Sequence, residues 1–244
     1  MAFDRVADNY DRMRGGIERG RQAAARLVAD LAPGPVLEVG TGTGIVAAGL
    51  TELGHRVYGV DLSPPMLSRA HGRLGGRVAV ADAQSLPFAD GVFADVVFVH
   101  VLHLVADMPA ALREAARVLA PGGRLLAAHG DPAADPDELV AVLDRLSELH
   151  PPRPDTPGGL DTAAGEAGLL PVGHDFAPDY DRATSPRQLL ESLEQRLPPF
   201  LWDIDDATWA RVVEPALAEL RALPDQDRPR PQQWRVHHSV YRKP

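Results

Sequence analysis

Three glycines at alternate positions, Gly40, Gly42 and Gly44, follow directly on the apolar run Val36 to Val39 and precede a helix-forming run from Ile45 to Leu53. No other stretch narrows the fold as much. A short apolar run bounded by turn residues reads as a buried strand. A glycine turn after it lets backbone N–H groups approach a ligand without a Cβ in the way. A helix starting there adds its positive N-terminal end. Strand, turn and helix in that order is how an open parallel α/β sheet builds a binding edge at the C-terminal ends of its strands. The glycines alone leave the ligand open: Gly42-Thr43-Gly44-Ile45-Val46-Ala47 loosely satisfies the G-x-G-x-x-G/A pattern of a dinucleotide site.

Further strands follow with acids at their ends. Arg56 to Asp61 reads as a second strand, and a carboxylate there can accept both hydrogen bonds of a ribose diol. Ser63-Pro64 opens a helix, with proline tolerated at the first helical position. Val78 to Val80 is a third strand leading to Asp82. Phe93 to Val99 is almost continuously apolar, as expected of a central parallel strand, and is followed by His100 and His103. A helix over Pro109 to Leu119 then turns through Pro121-Gly122-Gly123 into a fifth strand that ends near Ala128.

Glu38, two residues before Gly40, completes E-V-G-T-G-T-G. With V-D-L-S-P-x-M-L from Val60 and L-R-E-A-A-R-V-L-x-P-G-G-R-L from Leu112, this resembles the class I S-adenosylmethionine-dependent methyltransferases that act on small molecules. The resemblance is strong across Ala32 to His129 and suggestive for residues 1–14. It implies S-adenosylmethionine as methyl donor, held by Glu38, Gly40, Thr41, Gly42 and Gly44 of the turn and by Val99 at the end of the fourth strand. Asp61 is implied for the ribose hydroxyls, Leu62 and Met66 for the adenine wall, Asp82 for the adenine amino group, and Ala83 for a backbone N–H to the ring. A-x-x-Y-D-x-x-R, matched by Ala7, Tyr10, Asp11 and Arg14, implies a lid with Tyr10 near the reactive methyl and Arg14 near the methionine carboxylate. The plainer alternative is an amphipathic helix packed on the domain.

The implied fold is α/β: a Rossmann-like, seven-stranded, mostly parallel sheet with an antiparallel C-terminal hairpin, helices on both faces and a small helical cap. Sixth and seventh strands are expected over Leu169 to Phe176 and Gln232 to Arg242. Helices are expected over Arg21 to Leu31, Asp135 to Leu149, Thr162 to Gly168, Ser185 to Arg196, and Asp205 to Leu223 with a kink at Pro215. The chain is read as a single domain, 1–244, with residues 32–129 as cofactor core, and 130–160 and 177–231 as cover for the acceptor.

Chemically, the sulfonium is already an activated leaving group, so positioning matters more than a protein nucleophile. A hydroxyl acceptor, with a phenol near pKa 10, is helped by a base such as histidine. His100 and His103 are the candidates for base or positioning residue, and His100 departs from the small or apolar residue commoner there in the family. His129 ends the fifth strand. Asp131, Asp135 and Asp137 cluster, but Asp135 is more simply a helix cap, and His237 and His238 would point to opposite faces of a strand. No metal is expected. Net charge of −9 and the absence of a Lys/Arg run argue against nucleic acid and anionic membrane as partners. The lack of cysteine excludes disulfides and thiolate chemistry. No apolar window spans a bilayer, and the first ten residues lack a signal peptide's apolar core, which fits the cytoplasm. The expected activity is methyl transfer to an O or N atom of a small-molecule acceptor, with the oligomeric state open. The rivals are a non-methylating S-adenosylmethionine-binding protein, a protein or RNA methyltransferase, and an NAD-dependent oxidoreductase.

Overall fold

The computed structural model of the 244-residue chain describes Asp11 and residues 15–150 and 152–244. Tyr10 and Arg14 lie outside the described residues, and with them the expected lid. The chain forms α1 (Gly16–Leu27), β1 (Pro35–Val39), α2 (Ile45–Glu52), β2 (Arg56–Asp61), α3 (Pro64–Leu74), β3 (Val78–Val80), β4 (Phe93–Val99) and α4 (Met108–Val118). Then follow β5 (Leu119–Ala134), α5 (Glu138–Arg145), α6 (Pro157–Glu166), β6 (Leu170–Thr184), α7 (Pro186–Glu194), α8 (Glu214–Ala222) and β7 (Arg230–Arg242).

The seven strands form one sheet in the order β3-β2-β1-β4-β5-β7-β6, mostly parallel, with antiparallel C-terminal strands. The order reverses between β1 and β4, which pair in parallel with Val39 opposite Phe98. Ligands of open α/β sheets sit at such a switch point, outside the C-terminal strand ends. Side chains alternate between two cores, as the period of a strand requires. Val36, Val57, Val97 and Leu126 pack with Ala23, Ala24 and Leu27 of α1 and Leu50 of α2. Leu37, Val39, Val60, Val96 and Phe98 pack with Leu112 and Ala115 of α4 and Leu160 of α6. Gly20 shows how close the first layer is: a Cβ there would lie 2.3 Å from the Ile45 carbonyl oxygen.

The single-domain expectation meets a chain that divides into two compact units, residues 1–132, 153–180 and 235–244 in one and 133–152 and 181–234 in the other. The second unit has its own core, with Leu139, Leu146, Leu193, Leu201, Val213 and Leu217 buried. Its helices are capped by their own sequence. Asp137 accepts the N–H groups of Leu139 and Val140 at the start of α5, so the cap is Asp137 and not Asp135. Ser185 and Gln188 form a reciprocal capping box on α7.

Several other boundaries differ from expectation. The first helix begins five residues earlier, at Gly16, and ends at Leu27 before a 3-10 turn, Val28–Asp30. Thr156 accepts the Gly159 N–H, so α6 begins at Pro157, five residues before the expected Thr162. The β6 strand runs to Thr184, eight residues beyond Phe176. Before Pro215 the expected long helix is broken into Asp206–Thr208 and a π turn, Trp209–Val213, consistent with the hydrogen bond that proline cannot donate.

Candidate active site

The glycine turn is held from below by one carbonyl. Val60 O accepts both the Gly40 and Thr41 N–H groups, at 2.8 and 2.9 Å, and Gly44 N–H returns to Thr41 O at 2.8 Å. Gly40 has φ of 72°, the left-handed region that a side chain resists, and a Cβ would meet Val101 Cγ2 at 2.3 Å. The segment after β4 is thus packed directly on the turn. From the other side Asp11 accepts the Thr43 hydroxyl and a guanidinium N–H of Arg73, both at 2.5 Å.

Three acids of the expected donor set have distinct environments. Glu38, in β1, is 2 % exposed. Its Oε2 accepts the Thr41 hydroxyl at 2.7 Å and the Ala47 N–H at 3.1 Å, tying strand, turn and α2 together. Burial pushes this carboxyl up to about 7, against those two hydrogen bonds. Asp61 at the end of β2 is half-buried; Oδ2 accepts the Gly42 N–H and Oδ1 the Ser63 N–H, each at 2.8 Å. Those donors fix its orientation beside Leu62, whose side chain is 44 % exposed. Asp82 accepts the Gln84 backbone N–H at 2.9 Å and pairs as a bridge with Ser85. Met66 and Ala83 are buried, and Val99 is half-buried at the end of β4. The residues present fit an adenosine: an oriented carboxylate for a diol and an exposed apolar side chain next to it, both at the C-terminal edge of β2.

The two histidines singled out in sequence part company. His103 Nδ1 lies 2.7 Å from Arg153 Nη2. A guanidinium only donates, so this nitrogen is an acceptor already engaged. Arg153 in turn holds Asp155 at 2.9 and 3.0 Å and Asp131 at 2.8 Å. Burial opposes ionisation of Asp155, but the hydrogen bonds and charge of Arg153, with the Gly130 N–H, outweigh it and hold the carboxyl below the usual range.

His100 has φ of 51°, left-handed for a residue with a side chain, and its N–H donates to Ala128 O at 2.9 Å. Its Nε2 lies 3.6 Å from Asp179 Oδ2 of β6, and Asp179 Oδ1 lies 3.5 Å from His238 Nε2 of β7. The Asp179 side chain is 1 % exposed. Burial opposes its charge, yet the proximity of His100, with His238 and Arg19, leaves its carboxyl lowered. His129 is fully buried, between the Asp155 carbonyl at 2.8 Å and the Ser239 hydroxyl at 2.7 Å. His237 faces away from His238, stacked on His129 at 5.7 Å and near Phe176 at 4.8 Å.

Asp179, Arg153 and Asp155 escaped the sequence reading, and His238 entered it only as a rejected metal ligand. Each meets its partner across many residues, and Asp179 fell within a stretch expected to be cover rather than strand. Of the aromatic residues there, Phe176 is exposed, Tyr180 lies under the Arg19 guanidinium at 4.3 Å, and Phe200 and Trp209 pack on the core of the second unit. Asp131 and Asp137 are committed to Arg153 and to the cap of α5.

Comparison with known proteins agrees with this geometry. Residues 37–127 match the model of a methyltransferase domain. A demethylmenaquinone methyltransferase of Thermus thermophilus is 40% identical over 136 residues, 51% of this chain and 62% of that protein. A ubiquinone/menaquinone biosynthesis C-methyltransferase of Desulfotalea psychrophila is 38% identical over 146 residues, 54% of this chain and 58% of that protein. The chain thus spans about 60% of the length of these relatives. Among solved structures, phosphoethanolamine N-methyltransferase 2 of Haemonchus contortus with S-adenosyl-L-methionine has the same fold, with a TM-score of 0.58 at 21% identity, covering 99% of this chain and 57% of that one. The fold and the turn are those of an open α/β domain whose residues 37–127 match a methyltransferase domain, and the chain is similar to the class I S-adenosylmethionine-dependent methyltransferases. S-adenosylmethionine is the methyl donor of that class.

Proposed function

We propose that this chain transfers a methyl group from S-adenosylmethionine to a small-molecule acceptor by in-line displacement. One observation carries the reading: the C-terminal edge of β1 and β2 brings together the glycine turn, the oriented Asp61 carboxylate and the exposed Leu62 side chain. The donor supplies a methyl on a sulfonium that leaves readily. The chain's own part is to bind, orient and exclude water. Asp61 receives the ribose hydroxyls. Leu62 and Met66 flank the base, and Asp82 and the Ala83 N–H serve its polar edge. Tyr10 and Arg14 belong to the donor set by resemblance alone. Glu38 acts from beneath, holding the turn to α2 through Thr41 and Ala47. The covering role expected of residues 130–160 and 177–231 belongs to this proposal.

The sequence favoured an oxygen or nitrogen acceptor. The relative from Desulfotalea psychrophila carries C-methyltransferase in its name, which brings a carbon acceptor into the reading. With a net charge of −9, RNA is disfavoured as an acceptor. The test is mass-spectrometric detection of S-adenosylhomocysteine when the purified chain is incubated with S-adenosylmethionine and a panel of phenols, amines and quinols. Turnover dependent on one acceptor class supports methyl transfer. Tight donor binding with no turnover across the panel favours the non-methylating alternative.

A further inference from the structure

We propose that a proton-dependent staple, running from Asp155 through His129, Ser239 and His174 to Asp161, fastens residues 155–161 to three strands of the sheet. It is complete only while His174 carries a hydrogen on both ring nitrogens. The contacts form one line. His129, Ser239 and His174 lie on β5, β7 and β6, which are neighbours in the sheet. His129 Nδ1 is 2.8 Å from the Asp155 carbonyl oxygen, and its Nε2 is 2.7 Å from the Ser239 hydroxyl. The same hydroxyl is 2.9 Å from His174 Nδ1, and His174 Nε2 pairs with Asp161 Oδ1 of α6 at 3.2 Å. The line thus leaves the segment before α6, crosses three strands and returns to α6. Arg153, at the head of that segment, is the residue that reaches His103 beyond β4. Only the bearing of the staple on turnover, through that contact, rests on the methyltransferase reading above.

Hydrogen-bond direction decides where the hydrogens sit. A backbone carbonyl only accepts, so His129 Nδ1 carries the hydrogen. Burial holds His129 below the ordinary histidine range, so the ring is neutral and its Nε2 is an acceptor. The Ser239 hydroxyl gives its one hydrogen to that nitrogen. Its oxygen is left to accept, so His174 Nδ1 is a donor. A neutral His174 then turns a bare lone pair on Nε2 toward a carboxylate that also only accepts. A second hydrogen, on Nε2, makes this contact an ion pair. Tyr241 does not supply it. Its hydroxyl donates to the same Asp161 oxygen at 2.6 Å, and burial with the Asp161 charge pushes that hydroxyl up, so it remains a donor.

Exposure is graded along the line. His129 and Ser239 are 0 % and 2 % exposed, whereas the His174 and Asp161 side chains are 39 % and 48 % exposed. The inner links are sealed, and the outer one exchanges protons with water. Asp161 faces His174 from α6, Tyr241 from β7 with its ring edge-on at 5.7 Å, and His129 through the Ser239 hydroxyl from β5. His237 of β7 stacks on His129 and, with His174, disfavours a charge there. Asp155 acts on His129 in the opposite sense, with its carboxylate committed to Arg153. Asp175, next to His174 in β6, points to the other face of the strand, where it pairs with Arg26 at 2.8 Å. Asp161 is therefore the charge that answers a proton on His174. Low pH closes the staple, and high pH opens its outer link while the three inner contacts stay.

The test is NMR of the full chain at about pH 5.5 and about pH 8.5, on either side of the ordinary histidine range. Long-range ¹H–¹⁵N spectra should show His129 as the Nδ1–H tautomer at both values. His174 should carry both hydrogens at the lower pH and keep only Nδ1–H at the higher. Amide exchange gives the mechanical readout, as protection factors, which remove the intrinsic pH dependence of exchange. Protection over residues 155–161 and 172–176 should fall by about three- to fivefold at the higher pH, the loss of one partly exposed ion pair. Asp161→Asn should bring the low-pH protection down to the high-pH level and so remove the difference. Ser239→Ala should lower protection at both values. An Nε2–H tautomer of His129, an Nε2–H tautomer of His174 at the higher pH, or a pH difference that survives Asp161→Asn unchanged would overturn the proposal. None of these readouts uses the donor or an acceptor, so their failure leaves the methyltransferase reading standing. Failure of the folded chain to bind S-adenosylhomocysteine would sink that reading and leave the staple standing.

Discussion

The carboxylates at the β1–β3 edge and those on the β5–β7 side of the sheet are stabilised in different ways. Glu38, Asp61 and Asp82 are held largely by backbone N–H groups near in sequence: Ala47 of α2, and Gly42, Ser63 and Gln84 of the turns. Asp155 and Asp179 are held by arginine and histidine, with His100 and His238 reaching Asp179 from β4 and β7. The first arrangement is rigid and made by the main chain, suited to presenting fixed donors and acceptors to a ligand. The second is built from titrating side chains, suited to moving a proton. The difference also predicts opposite responses to pH. Glu38, raised by burial, is stabilising when protonated. His238, lowered by burial, is stabilising when neutral.

The largest expected effect tests the strand common to both regions. Phe98 of β4 is fully buried and lies opposite Val39 of β1 and Ala127 of β5. Phe98→Ala should cost about 3–5 kcal/mol in urea unfolding. A loss under about 1 kcal/mol would mean the site does not share one packed sheet.

The next two variants separate the regions. Glu38 titrates at about 7 folded and near 4.5 unfolded, so the stability it contributes is full below pH 4.5 and fades as pH rises through 7. Glu38→Gln keeps an acceptor for Thr41 and Ala47 and should raise stability above pH 7 by roughly 1–3 kcal/mol, with little change at pH 4. His238 runs the other way. Its contribution is present above its ordinary 6.5 and is lost as pH falls through about 4. His238→Gln should therefore flatten the stability loss between pH 6.5 and 4, followed by thermal melts across that range. If both variants flatten the same limb, the contrast drawn here is wrong. The smallest effect is expected at the exposed Arg187–Asp227 pair of the second unit, where Arg187→Ala should leave the urea-unfolding midpoint indistinguishable from that of the wild type.

The legible part of the chain follows the same division. The second, third and fourth strands agree with expectation at both ends, because each is a short valine-rich run closed by turn residues after Asp61, Val80 and Val99, although only β4 is largely buried on both faces and Val80 of the edge strand β3 is exposed. The glycine turn and its acids could be placed because their partners are near in sequence. The long strands could not be bounded: β6 carries mostly exposed side chains, so no hydrophobic pattern marks its continuation past Phe176. The cap of α5 was misplaced by two residues because Asp135 and Asp137 are chemically equal and only the backbone chooses. His100 was visible as an oddity of its motif. Its partner Asp179 was not, since nothing local distinguishes an aspartate facing two histidines from one facing water.

The central claim is that the β1–β2 edge binds S-adenosylmethionine through Asp61, and calorimetric titration tests it most directly. The wild-type chain should bind S-adenosylmethionine and S-adenosylhomocysteine, and Asp61→Ala should weaken both by about a hundredfold or more, the loss of two hydrogen bonds to a charged acceptor. Equal affinity in the variant, or no binding by folded wild-type protein, would contradict the account and return the glycine turn to a structural role.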